Sequence, residues 1–67
     1  MIAIGKHYVF DTHGLDSELN GRSGAICTVD RPLTFKEADL FETGPMYSVV
    51  FEDGYVTDVF EDELLEV

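Results

Sequence analysis

Residues 46–60 read MYSVVFEDGYVTDVF, and the way this stretch pairs with itself decides the fold. Two β-prone runs, Met46 to Phe51 and Tyr55 to Phe60, flank Glu52, Asp53 and Gly54, an arrangement that predicts a β-hairpin. A two-residue loop at Asp53 and Gly54 sets Glu52 opposite Tyr55 and places Asp58 on one face with Tyr47, Val49, Phe51, Val56 and Phe60. A three-residue bulged loop, with Gly54 left-handed, sets Phe51 opposite Tyr55 and gathers Tyr47, Val49, Phe51, Tyr55, Thr57 and Val59 instead. Burying a carboxylate among large apolar groups is costly, so the bulged register is the expected one.

Working outward, the chain after Phe60, EDELLEV, is expected to make one tight turn that tucks Leu64 or Leu65 inward before a last short strand. Before the hairpin, Thr34 and Glu37 have capping-box spacing, and Leu33 precedes them where it can staple against Ala38. They predict a single helical turn over about 34–41, closed by Gly44 and Pro45, although Glu37, Asp39 and Glu42 crowd the end where a helix dipole disfavours acids. Further back, residues 6–10 (KHYVF) and 24–29 (GAICTV) read as strands, the first running into a loop at Asp11 to Gly14 that continues from Leu15 to Asn20. Asn20-Gly21 marks a turn between them, and Asp30-Arg31-Pro32 stops the second.

The chain of 67 residues carries 14 acids and 4 bases, a net charge of -10, with 45% hydrophobic residues. That length holds one small domain, residues 1–67, and no deep reaction chamber; hydrophobic content separates it from disordered acidic tails. The charge is lopsided. Lys6, Arg22, Arg31 and Lys36 cancel Asp11, Asp16, Glu18 and Asp30 in residues 1–36, so the whole excess sits in residues 37–67, which contain ten acids and no base. Nucleic-acid and anionic-membrane binding depend on Lys and Arg, so direct contact with either is not expected. Basic proteins or peptides are the natural electrostatic partners, set against the plainer reading that acidity only keeps a small protein soluble.

One cysteine, Cys27, cannot form an internal disulfide, which argues against a secreted disulfide scaffold and for a reducing, cytoplasmic home. The opening residues lack the charged and apolar regions of a secretory signal, and Met1 followed at once by foldable sequence leads to the expectation of a complete small gene product. Cys27 lies mid-strand in an apolar run, where a thiol is a buried small hydrophobe with a raised pKa rather than a nucleophile. No enzyme activity is expected. His7, His13 and Cys27 lack zinc-ligand spacing, and the acids lack the spacing of a calcium loop, so neither metal nor cofactor is expected. Gly21 and Gly24 are too closely spaced for a phosphate loop and read as turn residues.

Taken with Gly21, Gly24 and Ile26 in the first half, and with Tyr47, Val49, Phe51, Asp53, Gly54 and Leu64 in the second, this pattern resembles the small five-stranded SH3-like barrels, Tudor-like and KOW-like members in particular. The resemblance implies a mainly β domain, a small five-stranded SH3-like barrel with one short helical turn in a 31–45 insertion that is longer than the simplest barrels have. It also implies a binding module, since such barrels hold modified or proline-rich peptides, RNA or neighbouring domains. The absence of basic loops departs from the KOW-like pattern.

The leading expectation is an acidic module that docks on a basic protein or peptide through Tyr8, Glu52, Asp53, Tyr55, Asp58, Glu61, Asp62 and Glu63. Two other readings stay open. One is a nucleic-acid mimic that inhibits a DNA- or RNA-binding protein. The other is a Tudor-like aromatic cage for a methylated cation, built from rings such as Tyr8 and Tyr55 with nearby carboxylates. Most of the eight aromatic residues are expected in the core instead, because a chain this short must bury them to fold.

Overall fold

The computed structural model describes residues 2–12 and 19–67. His13 and most of the expected loop from Leu15 to Asn20 lie outside the described residues. Five strands form one antiparallel sheet: β1 (His7–Phe10), β2 (Ile26–Pro32), β3 (Met46–Phe51), β4 (Val56–Phe60) and β5 (Leu64–Glu66). A 3-10 turn, Asn20–Arg22, precedes β2, and a second, Glu61–Glu63, joins β4 to β5. The sheet order is β4-β3-β2-β1-β5. The protein is therefore mainly β, and this arrangement is compatible with an SH3-like fold. The ladder does not close, however, so β4 and β5 are edges and the expected barrel is only approximate. At the free edge of β4 the Phe60 N–H is taken by the Glu63 carboxylate at 2.9 Å, while the Glu61 N–H extends the β3–β4 pairing by donating to the Pro45 carbonyl at 3.1 Å.

The hairpin has the bulged register. Tyr47 opposes Val59 and Val49 opposes Thr57, while the Phe51 N–H donates to the Tyr55 carbonyl at 2.9 Å. Gly54 sits at φ 90° and donates to the Phe51 carbonyl at 2.9 Å, a conformation that a side chain there would strain. Alternation then sends Val49, Phe51 and Val59 inward and leaves Asp58 exposed.

The same alternation across the other ladders builds the core in rows. Tyr8 faces Cys27, which faces Phe51; Val29 faces Val49; and Phe10 faces Leu64. All of these side chains are buried, and Phe10 meets Phe51 edge to face at 5.6 Å. Burial pushes the Cys27 thiol above its usual range, as expected of a small hydrophobe in this position. After the second 3-10 turn Leu64 goes inward and Leu65 outward.

Two boundaries differ from expectation. Strand β2 runs past Asp30 to Pro32, because the register shifts between Val29 and Arg31. The extra residue is Asp30, so a β-bulge absorbs the break, and Pro32 is tolerated as the last strand residue. The helical turn α1 occupies Leu40–Thr43 rather than 34–41. The Thr34 amide does donate to Glu37 Oε1 at 3.1 Å, and the Glu37 and Ala38 amides donate to the Thr34 carbonyl. Yet Asp39, at φ -80° and ψ 83°, leaves helical space and breaks the run after one turn.

Arg31 clamps that turn with two bonds of 2.7 Å to the Glu37 oxygens. The guanidinium, helped by the Thr34 amide, pulls the Glu37 carboxyl down to about 2. A group with a depressed folded-state pKa stabilises above its unfolded value and loses that contribution as pH falls through the folded one. The Glu37 contribution is thus present above about 4.5 and disappears toward about 2. Carbon-detected NMR titration is expected to give Glu37 a midpoint near 2; a midpoint in the ordinary glutamate range contradicts the clamp.

Candidate functional site

The eight residues expected to meet a partner fall into three places. Tyr8 is in the core, 1% exposed, with its hydroxyl accepting the Ala3 amide at 2.8 Å, so its ring is not on the surface. It sits on β1 where alternation points inward, and the short N-terminal segment folds over its polar end.

Glu52, Asp53 and Tyr55 stand at the hairpin tip, and there the chain supplies its own cation. Arg22, carried by the first 3-10 turn, reaches Asp53 at 3.0 Å and stacks 4.2 Å from the Tyr55 ring centroid and 5.0 Å from that of Phe51. The Tyr55 amide, and behind it Arg22, holds the Asp53 carboxyl below its usual range. Rings and carboxylate are thus assembled around a guanidinium as an aromatic cage would be, but the guanidinium is internal. Sequence counting gives no sign of this, because Arg22 and Asp53 are distant along the chain and meet only through the sheet.

Asp58, Glu61, Asp62 and Glu63 come together. They line an open groove of about 750 Å³ with Glu42, which the sequence marks only as an unfavourable helix-end acid. Leu19, Pro45 and Phe60 supply its apolar surface, with Thr12 and Thr43 beside them. Among the described residues no base lines it and none of these carboxylates is in an ion pair. Position 58 faces outward because of the hairpin register, the second 3-10 turn presents Glu61 and Asp62, and α1 adds Glu42 to the lining. Glu61 is held by the Tyr47 hydroxyl at 3.1 Å. Burial, and secondarily that carboxylate, raises the Tyr47 pKa. Glu63 is 7% exposed and spends its carboxylate on the Phe60 amide, so it braces the groove rather than offering itself to a ligand.

Crowded like charges repel, and the molecule is small, 28 × 27 × 20 Å. At 0.01 M salt the Debye length, about 30 Å, exceeds that size, whereas at 1 M it is about 3 Å. Adding salt is therefore expected to raise the melting temperature, by on the order of 5 °C if about 1 kcal/mol of repulsion is relieved. The two exposed pairs, Arg22–Asp53 and Arg31–Glu37, weaken in salt but contribute less than the repulsion relieved. Scanning calorimetry showing a fall with added sodium chloride contradicts this balance.

Among the described residues no three His, Cys, Asp or Glu side chains converge as a metal site, and no helix is long and apolar enough to cross a membrane. Comparison with known proteins finds no matching family model, no matching curated protein and no matching solved structure.

Proposed function

We propose that this chain is a non-enzymatic acidic binding module that docks a basic protein surface or peptide in the groove between α1 and the second 3-10 turn. The observation that carries the reading is the gathering there of Glu42, Asp58, Glu61 and Asp62, carboxylates without an ion pair among the described residues, beside apolar side chains. In a concave, partly apolar site a Lys or Arg side chain lays its methylenes on the apolar side chains and its charge among the acids, a stronger arrangement than the same charges spread on a convex surface. The strand order and the 3-10 turn before the last strand support a relation to the SH3-like binding domains. The lone buried Cys27 fits a reducing, cytoplasmic setting.

The test is fluorescence anisotropy with a labelled nona-lysine peptide. Affinity is expected to fall steeply with salt, and the triple variant Asp58→Asn, Glu61→Gln, Asp62→Asn is expected to weaken it about tenfold, equivalent to about 1.4 kcal/mol. A control removing equal charge elsewhere, Asp30→Asn, Glu52→Gln, Glu66→Gln, is expected to change it less than threefold, as rim charges do. Equal losses in both triples reduce the groove to a share of the overall charge and overturn the reading. Once a natural partner is known, competition with DNA for the same site on it distinguishes mimicry of a nucleic acid from simple docking.

A further inference from the structure

Two phenylalanines of the segment that leads to Glu42 stand in solvent. Phe35 is 62% exposed and Phe41 is 90% exposed, yet their rings meet at a tilt of 41° with centroids 4.9 Å apart. The segment that carries them is pinned at both ends. Leu33 is buried and its amide donates to the Met46 carbonyl at 2.9 Å, Arg31 grips Glu37 through two bonds of 2.7 Å, and Gly44 closes α1 with a 2.9 Å bond to the Leu40 carbonyl. The ring pair is therefore held outward on a fixed loop.

Next to Phe35 a shallow depression of about 290 Å³ is lined by Leu33, Leu40, Met46 and Tyr47. That is just under the roughly 300 Å³ at which small-molecule sites begin, and its lining has the chemistry of an apolar side-chain socket. Pro45 borders both this depression and the acidic groove, and the Tyr47 hydroxyl, whose residue lines the one, holds Glu61 of the other. Asp39 and Glu42 flank Phe41 in sequence, and Glu42 lines the groove. Apolar and acidic surfaces are thus parts of one face.

We infer that this face takes an amphipathic basic peptide segment, whose bulky aliphatic side chains rest on Phe35, Phe41 and the adjoining socket while its Lys and Arg residues enter the acidic groove. The inference rests on the docking reading above and adds the apolar half of the ligand. Charge complementarity selects the occupant: a second copy of this chain brings ten net negative charges to an already acidic face, and an anionic lipid surface is repelled for the same reason. Aromatic anchors ringed by charge are the usual source of affinity where a peptide lies in a groove, while the charges supply orientation and rate.

The experiment uses the full chain and two labelled 14-residue peptides of equal charge, one of Lys and Leu in amphipathic order, the other with every Leu replaced by Ser. At 0.15 M salt the Lys/Leu peptide is expected to bind at least about tenfold tighter, since about 1.4 kcal/mol of apolar contact gives that factor. The variant Phe35→Ser, Phe41→Ser is expected to erase the preference while leaving Lys/Ser binding unchanged. Phe41→Ser alone, at the most exposed position, guards against misfolding and is expected to lose part of it. Equal affinity for both peptides in the native chain, or a preference that survives the double variant, overturns this inference while leaving electrostatic docking intact. Failure of both peptides to bind, or binding indifferent to salt, overturns the docking reading and this inference with it. Sedimentation that shows a dimer dissociated by Phe41→Ser assigns the face to a second copy and likewise overturns it.

Discussion

Replacing Phe10 with alanine is expected to abolish cooperative unfolding at 37 °C. Its side chain is fully buried, between Leu64 across one ladder and the edge-on ring of Phe51 at 5.6 Å. Truncating a buried Phe costs about 3–5 kcal/mol, part from lost transfer energy and part from the cavity left behind. At about 0.05–0.15 kcal/mol per residue, a chain this short has only about 3–10 kcal/mol in total. The backbone bonds at Phe10, to Ala25 at 2.9 Å and from Gly24 at 2.6 Å, need no side chain, so the loss isolates packing from hydrogen bonding. Circular dichroism melts are the measurement, with Phe41→Ala as the companion. The exposed ring is expected to change stability by less than about 0.5 kcal/mol. A Phe10 variant melting within a few degrees of the parent means that the core closes around the gap, and the row-by-row account of the sheet then fails.

The rows themselves are legible in the sequence because period-two alternation is a strong constraint when one residue is intolerable inside. Asp58 chooses the hairpin register: the two-residue loop buries its carboxylate, and the observed pairing of Phe51 with Tyr55 sends it outward. Leu64 and Leu65 are ambiguous in sequence for the opposite reason, since either satisfies the core, and the length of the second 3-10 turn decides between them. The helical turn lies about one turn beyond its expected place because capping chemistry is local, whereas propagation depends on the residues after the cap. Thr34 and Glu37 do bond as a cap, but Glu37 also serves Arg31, and the chain turns away at Asp39. Asp30 and Pro32 look like a stop signal, and only the facing strand reveals that a bulge carries β2 through them.

The candidate site is legible as a region and not as a geometry. Counting charges finds the acidic half of the chain, but it cannot tell a carboxylate in a groove from one already engaged. Asp53 has Arg22, Glu63 has the Phe60 amide, and Tyr8 is wholly inside. What remains of the expected surface is Glu52 at the hairpin tip and, in the groove, Asp58, Glu61 and Asp62, to which folding adds Glu42 from α1 and apolar neighbours. Tyr55 illustrates the limit of residue-type reasoning. A tyrosine next to acids suggests a receptor for a cation, and the structure places the chain's own Arg22 there, brought from the far side of β2 and β3 in sequence. Small proteins reuse surface residues in this way because each long side chain that covers a ring shields apolar area the core has no room to hold.

Glu63→Ala is expected to cost about 2–3 kcal/mol, the range for a partly buried hydrogen bond to a charged acceptor, and Glu63→Gln less than half of that, since the amide oxygen still accepts. The side chain takes the Phe60 amide at 2.9 Å while the Glu63 carbonyl takes the Asp11 amide at 2.8 Å. One residue therefore joins the end of β4, the start of β5 and the exit of β1, at the place where the sheet lacks a ladder between its two edges. Alanine removes the acceptor and leaves the Phe60 N–H without a partner in a half-buried site, so the second 3-10 turn loosens and β5, only three residues long, loses its anchor. Urea titration gives the energies and hydrogen exchange gives the location. Amide protection in Glu61 to Leu65 is expected to fall in the alanine variant more than in β2 or β3, because a local tie has been cut rather than the core. If alanine and glutamine destabilise equally, the carboxylate's role is electrostatic rather than as an acceptor, and the groove wall carrying Glu61 and Asp62 must be held by packing of Leu64 instead.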